Sequence, residues 1–223
     1  MTLFTGSGVA LITPFNEKNE INFEKLRELL EFHIANKTDA VIVTGTTGES
    51  STMSDEEKLA VIKFSVETVN KRIPVIAGTG SNNTQHAVEM SRKAEELGAD
   101  GLLVVTPYYN KGNENGIYNH YKLIAENVNI PVILYNVPGR TGVNLSIKLL
   151  KKLAQIKNIT AIKEASGNIS YAAEIAREVP ELDIYSGNDD MTVPLLSLGG
   201  KGVISVSANI LPETVHNMTS AFF

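Results

Sequence analysis

The sequence predicts an α/β fold, a closed (β/α)8 barrel of the TIM type, on three observations. Short apolar runs alternate along the whole chain with longer amphipathic ones, and there are eight of each kind. Strict alternation implies parallel strands joined by right-handed crossovers. No Gly-x-Gly-x-x-Gly follows the first apolar run and no Walker-type loop occurs anywhere, which removes the usual signs of an open nucleotide-binding sheet. No linker or low-complexity stretch divides the 223 residues, so residues 1–223 read as one domain.

The predicted strands are Gly8–Thr13, Ala40–Thr44, Val75–Gly78, Gly101–Thr106, Val132–Asn136, Thr160–Glu164, Asp183–Gly187 and Gly202–Val206. Each is a run of four to six mostly apolar residues, the length expected of a buried parallel strand. The intervening helices carry start signals. Asn22 can cap a helix that places Phe23, Leu26, Leu30 and Ile34 on one side. Ser54 with Glu57 forms a capping box ahead of Leu59, Ile62, Val66 and Val69. A helical pattern from Thr84 to Leu97 stops at Gly98, a C-terminal cap. Further helices are predicted over Glu114–Asn127, Ser146–Gln155, Ser170–Val179 and Asp190–Leu198, with Asp189-Asp190 capping the last of these. Pro212 sits at a first helical turn and begins another. That helix is only a few turns from Phe222-Phe223, and such barrels run to ~250 residues. The expectation is therefore a barrel truncated within its eighth helix, with two exposed phenylalanines.

Composition excludes several function classes. The net charge is −5, which is not the basic footprint of a nucleic-acid-binding protein. Cysteine is absent, so there are no disulfides, thiolate metal sites or Fe–S clusters. The four histidines are scattered without a ligand-like spacing, and no metal site is expected. No stretch approaches the ~20 apolar residues of a membrane span, and no secretory pattern is visible. A cytoplasmic protein that binds no membrane is the expectation.

Chemistry in such barrels sits where the strands run out, in the βα loops. Lys163 interrupts the apolar run Thr160–Glu164 and shares a face with Ala161 and Ala165, while Ile162 and Glu164 face the other way. A lysine flanked by small residues can reach inward. Burial lowers its pKa and frees some amine, which can attack a carbonyl to form a Schiff base. Taken singly, a lysine at a strand end more often reaches for solvent. Gly45-Thr46-Thr47-Gly48 alone reads as a turn with capping hydroxyls, Tyr108-Tyr109 as interface filler, and Arg140 as a surface charge. What those plain readings leave unexplained is that lysine, tyrosine, arginine and a threonine pair fall on one rim. A Schiff-base enzyme needs that set: an amine, a hydroxyl relay, and cationic or N–H recognition of carboxylates.

Three motifs on that rim carry a resemblance. Gly45-Thr46-Thr47-Gly48-Glu49, Tyr135-Asn136-Val137-Pro138-Gly139-Arg140-Thr141-Gly142 and Ala161-Ile162-Lys163-Glu164-Ala165-Ser166-Gly167 are similar to the signatures of the dihydrodipicolinate synthase (4-hydroxy-tetrahydrodipicolinate synthase) branch of the N-acetylneuraminate lyase family of class I aldolases. The similarity runs from Gly6 to about Asn217. It implies a lyase of diaminopimelate and lysine biosynthesis that condenses pyruvate with L-aspartate 4-semialdehyde and needs no cofactor. Lys163 would carry the Schiff base, and Tyr135 would pass protons in a relay with Thr46 and Tyr109. The tyrosine matching Tyr109 enters a neighbouring active site in the family, so a homodimer or homotetramer is implied. Thr47, with the Thr46 and Thr47 N–H groups, would hold the pyruvate carboxylate, and Arg140 that of the semialdehyde. Gly187 and Ile204 would contribute carbonyls near the site. Family members continue into a small C-terminal helical region that has no counterpart here. Sister lyases acting on sialic acid or 2-keto-3-deoxy sugar acids share the lysine and tyrosine but typically lack arginine at the position of Arg140. A non-catalytic pyruvate-binding copy is the reading from another class.

The same resemblance implies a regulatory pocket for lysine, built from Ser50, Ser51, Asp55, Lys58, Gly80, Asn82, His86 and Tyr108. Lysine-sensitive members tend to carry histidines at the positions of Asp55 and Lys58 and a glutamate at that of His86. The expectation is weak or absent inhibition by lysine.

Overall fold

The computed structural model describes residues 2–223. Eight parallel strands close on themselves in sequence order, the first pairing with the second and with the last. They are β1 (Gly6–Ala10), β2 (Ala40–Val43), β3 (Val75–Gly78), β4 (Gly101–Val105), β5 (Val132–Asn136), β6 (Ile159–Glu164), β7 (Asp183–Ser186) and β8 (Gly202–Ser205). Around them run α1 (Phe23–Ala35), α2 (Asp55–Val69), α3 (Thr84–Glu96), α4 (Glu114–Glu126), α5 (Pro138–Thr141), α6 (Ile147–Leu153), α7 (Ile169–Glu178), α8 (Thr192–Ser197) and α9 (Pro212–Ser220).

Alternation along each strand creates two separate apolar layers. Inward-facing Ile42, Ile76, Leu103, Ile133, Ala161 and Ile204 fill the barrel interior. Outward-facing Val41, Leu102, Leu134, Ile162 and Val203 pack with helix residues such as Leu26, Ile62, Ile124 and Ile175. The N-terminal end of the barrel is plugged by Phe4. Its ring stacks on Tyr185 at 4.3 Å between centroids, and the Tyr185 hydroxyl donates to the Phe4 carbonyl at 2.6 Å. Among the described residues Phe4 fills this end, and the interior opens into a cavity at the C-terminal rim.

Helix starts follow the capping chemistry. Asn22 accepts from Lys25 N, and Ser54 and Glu57 bond reciprocally as a capping box. Asn83, Asn113, Ser146 and Asn168 cap α3, α4, α6 and α7 in the same way. Boundaries differ from the sequence reading where the chain leaves the sheet. β2 ends at Val43 because Thr44 turns away with φ +54°, its hydroxyl donating to the carbonyls of Val43 and Gly78. Gly78 is what allows that approach, since a Cβ there would lie 2.5 Å from the Thr44 carbonyl oxygen.

The helix predicted over Asp190–Leu198 begins later. A 3-10 turn covers Asp189–Met191 and α8 starts at Thr192. Pro194 explains the shift: a helix starting at Asp190 would need its missing N–H, whereas in a helix starting at Thr192 that position falls in the unpaired first turn. Pro138-Gly139-Arg140-Thr141, which reads as a loop in sequence, forms the short helix α5, closed by Gly142 at φ +72°. The last helix is present as predicted from Pro212, and Phe222 and Phe223 are exposed. No helix among the described residues is long and apolar enough to cross a membrane.

Candidate active site

A cavity of about 710 Å³ opens at the C-terminal rim. Lys163 reaches into it from β6. Its neighbours in sequence explain the direction, because Ala161 belongs to the interior layer and Ala165 to the cavity wall, with Ile162 on the outer face. Gly187 keeps the lysine stem free on its other side: a Cβ there would lie 2.6 Å from Ala165 Cβ and 3.1 Å from Lys163 Cε. The lysine is 5% exposed. Burial lowers its pKa from 10.5 to about 8, with the nearby Arg140 charge adding to the effect and the Asp189 charge opposing it. About a tenth of the amine is then free at pH 7.

Tyr135 lies beside Lys163 by strand register, since β5 and β6 pair Tyr135 with Lys163. The Lys163 nitrogen stands 4.4 Å from the centroid of the Tyr135 ring, a cation–π distance. Burial raises the Tyr135 pKa, opposed by the Arg140 charge, so the phenol holds its proton and can donate it.

Gly45-Thr46-Thr47 borders the opposite side of the cavity, in a turn where Glu49 N donates to the Thr46 carbonyl at 3.0 Å. Gly48 is held against the segment that follows β1 by the Thr13 hydroxyl, which donates to its carbonyl at 2.8 Å. The N–H groups of Thr46 and Thr47 donate to no protein acceptor among the described residues. They are available to an anion. Arg140, on α5, also lines the cavity. Among the described residues the arginines in ion pairs are Arg72 and Arg177, which leaves the Arg140 guanidinium without a carboxylate.

Not every predicted residue is brought together. Ile204 lies wholly inside the barrel core, and Val206, two residues on, lines the cavity instead. Tyr109 is 89% exposed, in a left-handed conformation (φ +68°), and borders neither this cavity nor its neighbour. Asp189 is a correction. Its carboxylate does not cap the helix that follows it; it accepts from the Ser205 hydroxyl, from Val206 N, and from the Ser207 N–H and hydroxyl. It thereby ties the β7 loop to the β8 loop and adds the negative charge closest in effect to Lys163. Sequence reasoning missed this because the donors lie sixteen to eighteen residues away.

A second cavity of about 350 Å³ adjoins the first, sharing Thr46, Ser50 and Arg140 with it. Ser51, Lys58, Gly80, His86 and Tyr108 also line it. Asp55 sits behind this wall. It bonds His86 Nε2 at 2.7 Å and accepts from Lys58 Nζ at 3.2 Å, and these partners, His86 first, hold its carboxyl below the usual range. Asn82 does not border the cavity; its carbonyl accepts from Asn110 Nδ2 at 3.0 Å and so tethers the loop bearing Tyr108 and Tyr109.

Comparison with known proteins places the chain in a family. The model of the Dihydrodipicolinate synthetase family matches residues 3–223. A 4-hydroxy-tetrahydrodipicolinate synthase from Brachyspira hyodysenteriae is 60% identical over 222 residues, covering 100% of this chain and 76% of the relative. The crystal structure of dihydrodipicolinate synthase from Aquifex aeolicus superposes with a TM-score of 0.96 at 48% identity, over 98% of this chain and 75% of that one. The chloride-inhibited dihydrodipicolinate synthase from Acinetobacter baumannii, complexed with pyruvate, gives 0.96 at 45% identity, over 99% and 76% of the two chains. The chain thus spans about three quarters of the length of these relatives.

Proposed function

The chain belongs to the dihydrodipicolinate synthetase family and condenses pyruvate with L-aspartate 4-semialdehyde in the diaminopimelate route to lysine; we propose that it does so through a Schiff base on Lys163. The observation that carries this reading is the buried amine, with a pKa near 8, at the floor of the one rim cavity that also offers an unpaired guanidinium and two free backbone N–H groups. The Lys163 amine adds to C2 of pyruvate, and loss of water leaves an iminium. The iminium acidifies the pyruvate methyl group; loss of a methyl proton gives an enamine whose C3 attacks the aldehyde carbon of the semialdehyde. The amine of the adduct then closes on C2 and displaces Lys163.

In this proposal Tyr135 moves the protons, with Thr46, and with Tyr109 delivered from a second copy of the chain. Its exposure in the single chain supports that last assignment, and a homodimer or homotetramer is part of the proposal. The Thr46 and Thr47 N–H groups, with the Thr47 hydroxyl, hold the pyruvate carboxylate. Gly187 keeps the lysine stem unobstructed; its backbone carbonyl, and that of Ile204 in the interior layer beneath the cavity, belong to the proposal as acceptors near the site. Cytoplasmic placement belongs to the proposal as well. Purified protein should form product from pyruvate and aspartate semialdehyde and release no pyruvate from N-acetylneuraminate; the reverse pattern would assign it to the sister lyases.

Arg140 is proposed to bind the semialdehyde carboxylate. A guanidinium grips a carboxylate in two-pronged fashion, and such charge-assisted bonds are worth roughly 1.5–3 kcal/mol, or about 10- to 150-fold in affinity. Arg140→Ala should therefore raise the semialdehyde KM by about that factor while pyruvate trapping on Lys163 persists. Equal damage to both substrates would make Arg140 structural.

The second cavity is proposed as the counterpart of the lysine pocket, with little affinity for lysine. Lysine brings two ammonium groups, and here Lys58 lines the wall while the carboxylate behind it, Asp55, already has Lys58 and His86 as partners. Like charges at close range disfavour binding. Millimolar lysine at saturating substrates should leave the rate nearly unchanged. Strong inhibition that Tyr108→Ala relieves would overturn this.

A further inference from the structure

The β5–β6 pair carries the proposed chemistry on one face and an unexplained carboxylate on the other. Inside the barrel the register places Tyr135 against Lys163; one residue further, on the outer face, it places Asn136 against Glu164. Glu164 is 3% exposed, yet among the described residues no lysine, arginine or histidine pairs with it. A carboxylate buried without a counter-ion is costly and persists only where hydrogen bonds hold it. Its two oxygens are both engaged: Oε2 accepts from Asn136 Nδ2 at 2.8 Å, and Oε1 from Ser166 N at 2.6 Å.

Asn136 is wholly buried and has its orientation fixed from the far side, where Leu145 N donates to its Oδ1 at 3.1 Å. Its amide nitrogen must then face Glu164 and Asn144 Oδ1, the latter at 2.8 Å. The Leu145 carbonyl in turn accepts from the Tyr171 hydroxyl. These bonds bracket the segment between Asn136 and Leu145, which carries Arg140, and the turn after Lys163, which begins at Ala165-Ser166.

We infer that Glu164 is a positioning residue for the Schiff-base reaction: through Asn136 and Ser166 it fixes the ends of β5 and β6, and with them the setting of Tyr135 against Lys163. This rests on the proposed role of Lys163. Neither Glu164 nor Asn136 lines the cavity, so any effect of changing them on the chemistry passes through those two strands.

Glu164→Gln tests it. Glutamine has the same shape, but its NH2 group must face one of two donors, so one of the bonds is lost. Glu164→Met removes the buried charge as well and relieves its desolvation. Both variants are assayed well below their melting temperatures for condensation and for reductive trapping of pyruvate on Lys163. The expected result is a fall in kcat of roughly tenfold or more with pyruvate KM little changed, slower trapping, and no restoration of rate in Glu164→Met even if it melts as high as the parent. Activity that simply tracks melting temperature across the variants, or a kcat equal to the parent's in both, would overturn the inference. Should Glu164→Gln fail to fold, Glu164→Met alone decides between the two outcomes. A parent protein that fails to trap pyruvate on Lys163 would instead overturn the Schiff-base reading itself.

Discussion

Lys163→Ala should abolish condensation, with kcat falling by at least ~10⁴-fold, because removing a covalent nucleophile removes the whole low-energy route. Borohydride added with pyruvate should attach a reduced pyruvyl group to Lys163 in the parent, and peptide mapping should find no adduct in the variant. The trapping rate at limiting pyruvate carries a pH signature. Burial holds the Lys163 pKa near 8, so the free amine grows as pH rises through that value, and the rate should climb and then level off. Stability follows the same titration. The folded pKa lies below the unfolded value of 10.5, so between about 8 and 10.5 the unfolded chain binds more protons and stability rises with pH. Below pH 8 the full penalty of a buried ammonium remains, and Lys163→Ala at pH 7 should melt no lower than the parent despite its lost activity. An adduct on another lysine, or undiminished trapping in the variant, would sink the assignment.

The barrel was legible because its evidence is local. Runs such as Val75–Gly78 and Val132–Asn136 are apolar, short and bounded, and both occur with the bounds read from sequence. Lys163 was legible for the same reason: strand alternation alone places it with Ala161 and opposite Ile162. What was not legible depends on contacts between distant segments. The end of β2 at Val43 needs the Gly78 carbonyl to receive the Thr44 hydroxyl. The role of Asp189 needs Ser205 and Ser207, which arrive one strand later. Asn136 and Glu164 look like unremarkable polar ends of two strands until the β5–β6 register sets them opposite each other on the outer face. Pro138–Thr141 carries turn residues that also suit a one-turn helix with proline at its start and glycine after its end, and local sequence does not separate the two. Tyr109 could not be placed from local sequence either: its side chain is exposed, its backbone is left-handed, and it borders neither cavity.

Tyr135→Phe should be the second most damaging change, and it separates two things the tyrosine does. Phenylalanine keeps the ring whose centroid lies 4.4 Å from the Lys163 nitrogen, so the cation–π contact and the packing of the cavity floor remain. Only the hydroxyl goes. Burial raises the Tyr135 pKa and keeps that hydroxyl protonated, which suits a group that donates to the alkoxide or hydroxide leaving C2 and recovers a proton from the methyl group. Positioned proton transfer typically contributes ~10²–10⁴-fold, and kcat should fall by about 10²–10³. The adduct should still form on Lys163, more slowly, because the amine is intact. The KM of neither substrate should change much, since Arg140 and the threonine N–H groups are untouched. Tyr135→Leu should be worse than Tyr135→Phe, having lost the ring as well. A Tyr135→Phe enzyme within a few-fold of the parent would show that protons reach the imine by another path, with the Thr46 hydroxyl on the opposite wall to test next.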